Sequence, residues 1–265
     1  MACSKPAVQL YTLRNELAKD FSGVCWRVAG LGYRGAELTD MRGEIPAKKL
    51  RQLGADIGLT WLSVHVPLEA LENQLPAVMD YYAAAGIKTI VCPWLPPERR
   101  LTYHGWLNIA HSLTHIGRIL QSQGFVLAYH HHDFEFAPVA IPDSHANDTA
   151  TTNGLNILLS GTHATTVKLE LDTYWAFFAD VNPAELMGRL GTRVALLHCK
   201  DMTNHVAKRF APVGAGVLNW SEIAREAETS GLDWLIVEQD DCYGLDPFAQ
   251  IAESLENLRQ MHMVQ

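Results

Sequence analysis

Eight short apolar or alternating runs, recurring at near-regular intervals along 265 residues, constrain this chain more than any other feature. They fall near Val8–Tyr11, Tyr33–Leu38, Thr60–Val66, Lys88–Trp94, Phe125–His130, Thr166–Asp172, Arg193–Lys200 and Trp234–Glu238. Their starts lie about 25 to 41 residues apart, the length of one strand-helix unit with its loops. Between them, Glu16–Leu31, Pro46–Ile57, Leu68–Gly86, Tyr103–Gly124 and Asp246–Met261 carry apolar residues at three- and four-residue spacing, the signature of helices with one buried face. Gly32, Gly86, Gly124 and Gly231 each stand between a helical pattern and the next strand, where a left-handed C-terminal cap is needed. Eight such units in a chain of this length predict a single (β/α)8 barrel over residues 1–265, with a doubly wound sheet as the competing arrangement.

One stretch breaks the rhythm. Residues 138–165 include PDSHANDTATTNG followed by the short apolar piece LNILLS, and read as a mobile insertion with His145 and His163 as solvated loop residues. At the other end, DPFAQIAESLENLRQM predicts a closing amphipathic helix with Asp246 as N-cap and Pro247 in the first turn.

A barrel strand turns alternate side chains into the lumen, and barrel enzymes place their chemistry at the C-terminal strand ends. All eight strands become polar or aromatic at that end. Strand six sets Lys168, Glu170 and Asp172 on one face; strand seven sets Val194, Leu196, His198 and Lys200; strand eight sets Trp234, Ile236, Glu238 and Asp240. Strand five ends LAYHHHDFEF, with His130 and His132 on one face and His131 opposed. The remaining strands offer Gln9 and Tyr11, Glu37, Ser63 and His65, and Cys92 with Trp94. Successive strand ends supplying carboxylate and imidazole predict one divalent metal ion (Mn, Mg, Co, Zn or Fe), since the set contains no thiolate to favour a soft metal. His131 and the helix histidines His104, His111, His115 and His262 read as surface residues, and Cys199 as packing.

Charge narrows the partners. With 21 Lys+Arg against 29 Asp+Glu the formal net charge is -8, which disfavours a nucleic-acid partner. No run reaches the roughly 18 apolar residues of a membrane span, so no membrane partner is expected. The start MACSKPAVQL lacks the pattern of a signal peptide, and five irregularly spaced cysteines suit reduced thiols, so a cytoplasmic location is expected.

The motifs VQLYTLR at 8–14, LGYRGAEL at 31–38, LSVHVPLE at 62–69, YHHHDFEF at 129–136, ELDTYW at 170–175, LHCKD at 197–201, PVGAGVLNW at 212–220 and IVEQDD at 236–241 together resemble the xylose isomerase-like TIM-barrel superfamily of sugar isomerases and epimerases. The resemblance spans almost the whole chain. In the ketose epimerases and inosose dehydratases of that superfamily, Glu, Asp, His and Glu at the ends of strands five to eight hold one divalent metal. The resemblance implies Asp172, His198 and Glu238 for the last three. At strand five the sequence departs: His130 stands at the ligand position, with His132 and Glu135 as alternatives.

The resemblance further implies proton transfer by Glu238 and Glu135, with Glu170 as a competitor placed deeper in a structural role. His132 and Lys200 are expected to contact substrate oxygens or donate a proton. Trp94 and Trp175 are expected to wall a sugar ring, Glu37 and His65 to orient it from across the mouth, and Asp201 to join the substrate-binding set. The implied partner is a small-molecule carbohydrate, a homo-oligomer being left open. The implied activity is a metal-dependent isomerase or epimerase working on a sugar, keto-sugar or sugar phosphate through an enediolate. The alternatives are a lyase of the inosose dehydratase type, a DNA-repair endonuclease on the same barrel, which the acidic charge opposes, and a non-catalytic sugar-binding barrel. Paired Arg99–Arg100 offer a weak phosphate signal and read as solvated. The glycines of PVGAGVLNW read as a turn.

Overall fold

A computed structural model describes residues 4–142 and 150–265, so His145 and Cys3 lie outside the described residues. Eight parallel strands close into a barrel: β1 (Lys5–Gln9), β2 (Gly35–Thr39), β3 (Thr60–His65), β4 (Thr89–Cys92), β5 (Val126–His130), β6 (Val167–Asp172), β7 (Val194–Cys199) and β8 (Trp234–Val237). Each pairs with its chain neighbours, and β1 pairs with β8 from Lys5↔Trp234 to Val8↔Val237. The outer layer is formed by α1 (Phe21–Leu31), α2 (Ala47–Ile57), α3 (Leu75–Ala85), α4 (Tyr103–Ser122), α5 (Gly154–Gly161), α6 (Pro183–Leu190), α7 (Trp220–Thr229) and α8 (Pro247–Gln260). Among the described residues no helix is long and apolar enough to cross a membrane.

The four glycines expected as caps all take positive φ, from 67° at Gly231 to 109° at Gly32. Asp246 caps α8 through a bond from Phe248 N at 3.0 Å. Strand β1 begins earlier than its apolar run suggests and ends at Gln9, where the Gln9 side chain accepts from Tyr11 N and starts a 3-10 turn over Leu10–Leu13. Two expected long helices are broken. Asp20 caps a new start at Phe21, and a turn at Gln74 precedes Leu75–Pro76, the proline filling a first-turn position where no N–H is needed.

The 138–165 stretch is also corrected. LNILLS is part of α5, whose buried Leu155, Ile157 and Leu158 supply the fifth outer helix, and Pro138–Ala140 pairs antiparallel with Thr151–Asn153 ahead of it. The polar residues in front of α5 concealed its short helical period.

Apolar packing forms two shells. The larger lies between barrel and helices. The smaller plugs the lumen with Ala7, Val91, Ala128, Leu196 and Ile236. Because side chains repeat every two residues along a strand, the residues two positions beyond four of these plug residues are Gln9, His130, His198 and Glu238. Glu170 joins them by register, paired with His130 on one side and Leu196 on the other. The apolar plug thus forms a floor, and a layer of ionisable side chains stands on it.

Candidate active site

Glu170 is the centre of that layer. Its Oε2 lies 2.8 Å from His65 Nε2, 3.0 Å from His130 Nδ1 and 3.2 Å from His198 Nε2. Glu37, on β2, lies beside it: its Oε1 accepts from Gln9 Nε2 at 2.8 Å, its Oε2 from Ser63 Oγ at 2.5 Å, and His198 Nε2 sits 2.6 Å from Oε1. The other ring nitrogen of His198 faces a second carboxylate pair, 3.0 Å from Glu238 Oε2 and 3.9 Å from Asp172 Oδ2. Lys200 Nζ completes this side, 2.7 Å from Glu238, 2.8 Å from Asp240 and 3.2 Å from Asp172.

Burial makes these charges depend on one another. Burial disfavours the His198 imidazolium, but Glu170, Glu37 and Glu238 outweigh it and hold the pKa well above the ordinary value. The same opposition takes His65 up to about 10 through Glu37 and Glu170. Burial and the neighbouring Glu37 raise Glu170 to about 7, and burial raises Asp172 to about 6 against the pull of Lys200. Glu238 moves the other way: burial opposes its charge, but Lys200 and His198 hold the carboxyl well below its usual range. Burial, then His198, keeps His130 neutral, its pKa far below the ordinary value.

Two groups among the described residues bring potential metal-ligating atoms within 4.8 Å of one another: Asp172, His198 and Glu238; and His65, His130, Glu170 and His198. The four expected ligands are thus divided. Asp172, His198 and Glu238 come together, whereas His130 belongs with His65 and Glu170, its Nε2 being 3.8 Å from Asp172 Oδ2. Asp172 Oδ2 and Glu170 Oε1 are buried without a hydrogen-bond partner.

Above this layer opens a cavity of about 560 Å³ lined by Tyr11, Thr39, Asp40, His65, Pro67, Pro93, Trp94, His130, His132, Trp175, Lys200, Phe210, Glu238 and Asp240. His132, Lys200, His65, Trp94 and Trp175 therefore face the space expected of them. Four other expectations are corrected. Glu135 is fully buried outside the cavity lining, its carboxylate accepting from Tyr129 OH and, at 2.8 Å, from His132 N; burial raises its pKa to about 8. Glu37 does not reach the mouth; it lies fully buried beneath it and holds His198 and His65.

Asp201 is saturated by donors from its own loop and the start of α7: Met202 N, Gly214 N, Gly216 N, Leu218 N and Trp220 Nε1, at 2.6 to 3.2 Å. The glycine-rich PVGAGVLNW segment thus presents its amides to an internal carboxylate. His131 is completely buried, not a surface residue; its Nε2 accepts the Asp172 N–H at 3.1 Å and its Nδ1 meets His132 O at 3.1 Å.

Glu170, two positions before Asp172 on the same strand face, lies deep in the layer as the period predicts and binds three histidines there. Phe210 had no such signal. It reaches the cavity on a short ribbon, Asp201–Met202 against Phe210–Ala211, that follows β7.

The chain resembles known proteins over its full length. Inosose dehydratase from Bacillus thuringiensis (strain Al Hakam) is 23% identical over 266 residues, covering 86% of this chain and 85% of the relative. A sugar phosphate isomerase/epimerase structure from Parabacteroides distasonis ATCC 8503 superposes with a TM-score of 0.86 at 24% identity, covering 100% and 96% of the two chains. An IolI protein structure with a zinc atom superposes at 0.72 with 15% identity, covering 97% and 98%. Those likenesses establish the shared barrel. The family model for the xylose isomerase-like TIM barrel matches residues 26–261, and the chain belongs to that family.

Proposed function

We propose that this protein is a divalent-metal-dependent enzyme that removes the proton next to the carbonyl of a sugar, keto-sugar or keto-polyol. The observation carrying this reading is the convergence of Asp172, His198 and Glu238 from three neighbouring strand ends, their potential ligand atoms within 4.8 Å of one another and Asp172 Oδ2 buried without a hydrogen bond. Lys200 is a single cation among the buried Asp172, Glu238 and Asp240, and a divalent ion would offset the remaining negative charge. The donor set is carboxylate and imidazole, which suits a first-row divalent ion or magnesium. Asp172, His198 and Glu238 would hold the ion, with His130 as the strand-five neighbour. When bound it would polarise a carbonyl and adjacent hydroxyl and stabilise the enediolate left by proton removal.

The residues of the chain divide the remaining work. Glu238 lines the cavity next to Lys200 and is the carboxylate placed to accept the substrate proton. Lys200 holds protons on its ammonium 2.7 Å from Glu238 and can pass one to an oxygen of the substrate. His132 lines the same cavity, its ring stacked on Phe134 with centroids 5.4 Å apart and tilted against Trp175 at 5.3 Å. Pro67, Pro93, Trp94, Trp175 and Phe210 give the cavity an apolar wall beside the ionisable floor.

Elimination is the outcome this arrangement favours. Glu135 lies outside the cavity lining, and the other lining carboxylates, Asp40 and Asp240, are ion-paired to Arg42 and Lys200, which leaves Lys200 as the proton donor beside Glu238 for a departing hydroxyl. The inosose dehydratase relatives point the same way. Isomerisation or epimerisation is the second reading, supported by His132 as an alternative proton donor in the same cavity. The metal-loaded protein should be incubated in heavy water with 2-keto-inositol and with epimerisable ketoses. A new enone absorbance supports elimination, and solvent deuterium at the α carbon without loss of water supports epimerisation. Absence of deuterium incorporation and of product with every substrate would refute proton abstraction itself.

A further inference from the structure

The cavity is larger than the reaction proposed above requires. A single sugar ring, with about a dozen non-hydrogen atoms, fills roughly a third of the 560 Å³, and the ionisable layer occupies only the floor. The outer space is aromatic. Trp94 is 46% exposed and Tyr11 42%, and both line the cavity. Leaving large rings in water forgoes hydrophobic stabilisation, and neither ring stands on a loosely held segment.

Trp94 is bracketed by Pro93 and by Pro96 and Pro97, whose φ angles are set by their rings, and the adjoining Leu95 is completely buried. Arg100 ties the segment down, donating to Leu95 O at 3.2 Å while its guanidinium lies 3.4 Å from the centre of the Phe134 ring. Tyr11 is held by the side-chain cap from Gln9 and by the Arg14 guanidinium, 4.4 Å from its ring centre. Rings fixed in this way lose little freedom when a ligand stacks on them.

Charge excludes one occupant. Asp40, Glu238 and Asp240 line the cavity, and Lys200, the lining residue that carries a cationic amine, already lies within 3.2 Å of three carboxylates. Arg99, nearby in sequence, pairs with Glu72 at 3.0 Å. Among the described lining residues no lysine or arginine is free to meet a phosphate, whereas an uncharged ring with C–H faces matches the rigid aromatic rim.

We propose that the substrate is a glycoside, its reacting ring over the floor and a second, uncharged pyranose ring stacked on Trp94 at the cavity mouth. This rests on the carbohydrate-enolising reading above and specifies its substrate class. The test measures binding of cellobiose, lactose, maltose and trehalose against methyl glucopyranosides, with glucose 6-phosphate and 4-nitrophenyl glucoside as further probes, by calorimetry on the metal-loaded protein.

At least one disaccharide should bind about tenfold more tightly than the methyl glycosides, equivalent to about 1.4 kcal/mol. Trp94→Ala should erase that preference, and Trp94→Phe should retain most of it. Equal affinities for one and two rings, tightest binding of glucose 6-phosphate, or a preference that survives Trp94→Ala would overturn the proposal. Tighter binding of 4-nitrophenyl glucoside than of every disaccharide would replace the sugar with an aromatic aglycone and overturn it too. Failure of the enolisation reading appears separately, as absence of solvent deuterium exchange while the two-ring preference persists.

Discussion

Replacing Asp201 by alanine distinguishes a substrate contact from a structural hub. Its Oδ2 accepts from Gly214 N at 2.9 Å, Gly216 N at 3.1 Å and Trp220 Nε1 at 2.6 Å, and its Oδ1 from Met202 N at 2.8 Å and Leu218 N at 3.2 Å. The variant strands five N–H groups around a site with no measurable exposure. At a net value of about 1 kcal/mol each the sum approaches 5 kcal/mol, and local relaxation with water entry lowers it, so a loss of about 3 to 5 kcal/mol is expected. For a chain of this size, at about 2 °C per kcal/mol, the midpoint should fall by roughly 6 to 10 °C. Reversible urea unfolding is the direct assay, with the midpoint moving and the slope unchanged. Asp201→Asn should lose nearly as much, because its amide nitrogen would face other donors. Gly216→Ala should act in the same direction, since its Cβ would lie 2.3 Å from both Asp201 Oδ1 and Met202 O. Wild-type stability in Asp201→Ala with a raised KM would refute this reasoning and restore the substrate-binding role.

Asp172→Asn and His198→Ala should each lose the bound divalent ion, read by elemental analysis, while circular dichroism shows the barrel intact; metal retained in both variants would refute the ligand assignment. Glu135→Gln should retain kcat within a few-fold, because the glutamine amide can replace the protonated carboxyl between Tyr129 and His132 N; a loss above about 100-fold would make Glu135 catalytic after all. The same variant carries a pH signature. Burial raises the folded pKa of Glu135 to about 8, so the folded state binds the extra proton and wild-type stability should decline as pH rises from about 4.5 to 8, by up to about 5 kcal/mol. Glu135→Gln should remove that decline, and parallel stability-pH curves for the two proteins would contradict the buried, protonated assignment.

The correspondence between sequence and structure follows the strand period. Where a residue lay two positions beyond an apolar plug residue, as His130, His198 and Glu238 do, its place above the lumen floor was legible. Where a residue lay beyond the strand end, alternation no longer applied. Glu135, on a 3-10 turn after β5, points to Tyr129, and Asp201, just after β7, is enclosed by its own loop. His131 opposes His130 on its strand, a position that suggests exposure. The opposite face of a barrel strand packs under helices and loops, and there its ring caps the Asp172 backbone.

The sequence by itself determined that the chain forms an eight-unit barrel and that its ionisable side chains gather at one end, because periodic burial of apolar side chains leaves few other solutions. Only the tertiary structure decided how those side chains share the space: Glu170 among three histidines, Lys200 among three carboxylates, Asp201 and Glu135 outside the cavity lining. Partners on strands and loops far apart in the chain meet through barrel closure and side-chain rotation. A local pattern specifies the face on which a residue stands, and the charges brought together across the lumen determine what it can do.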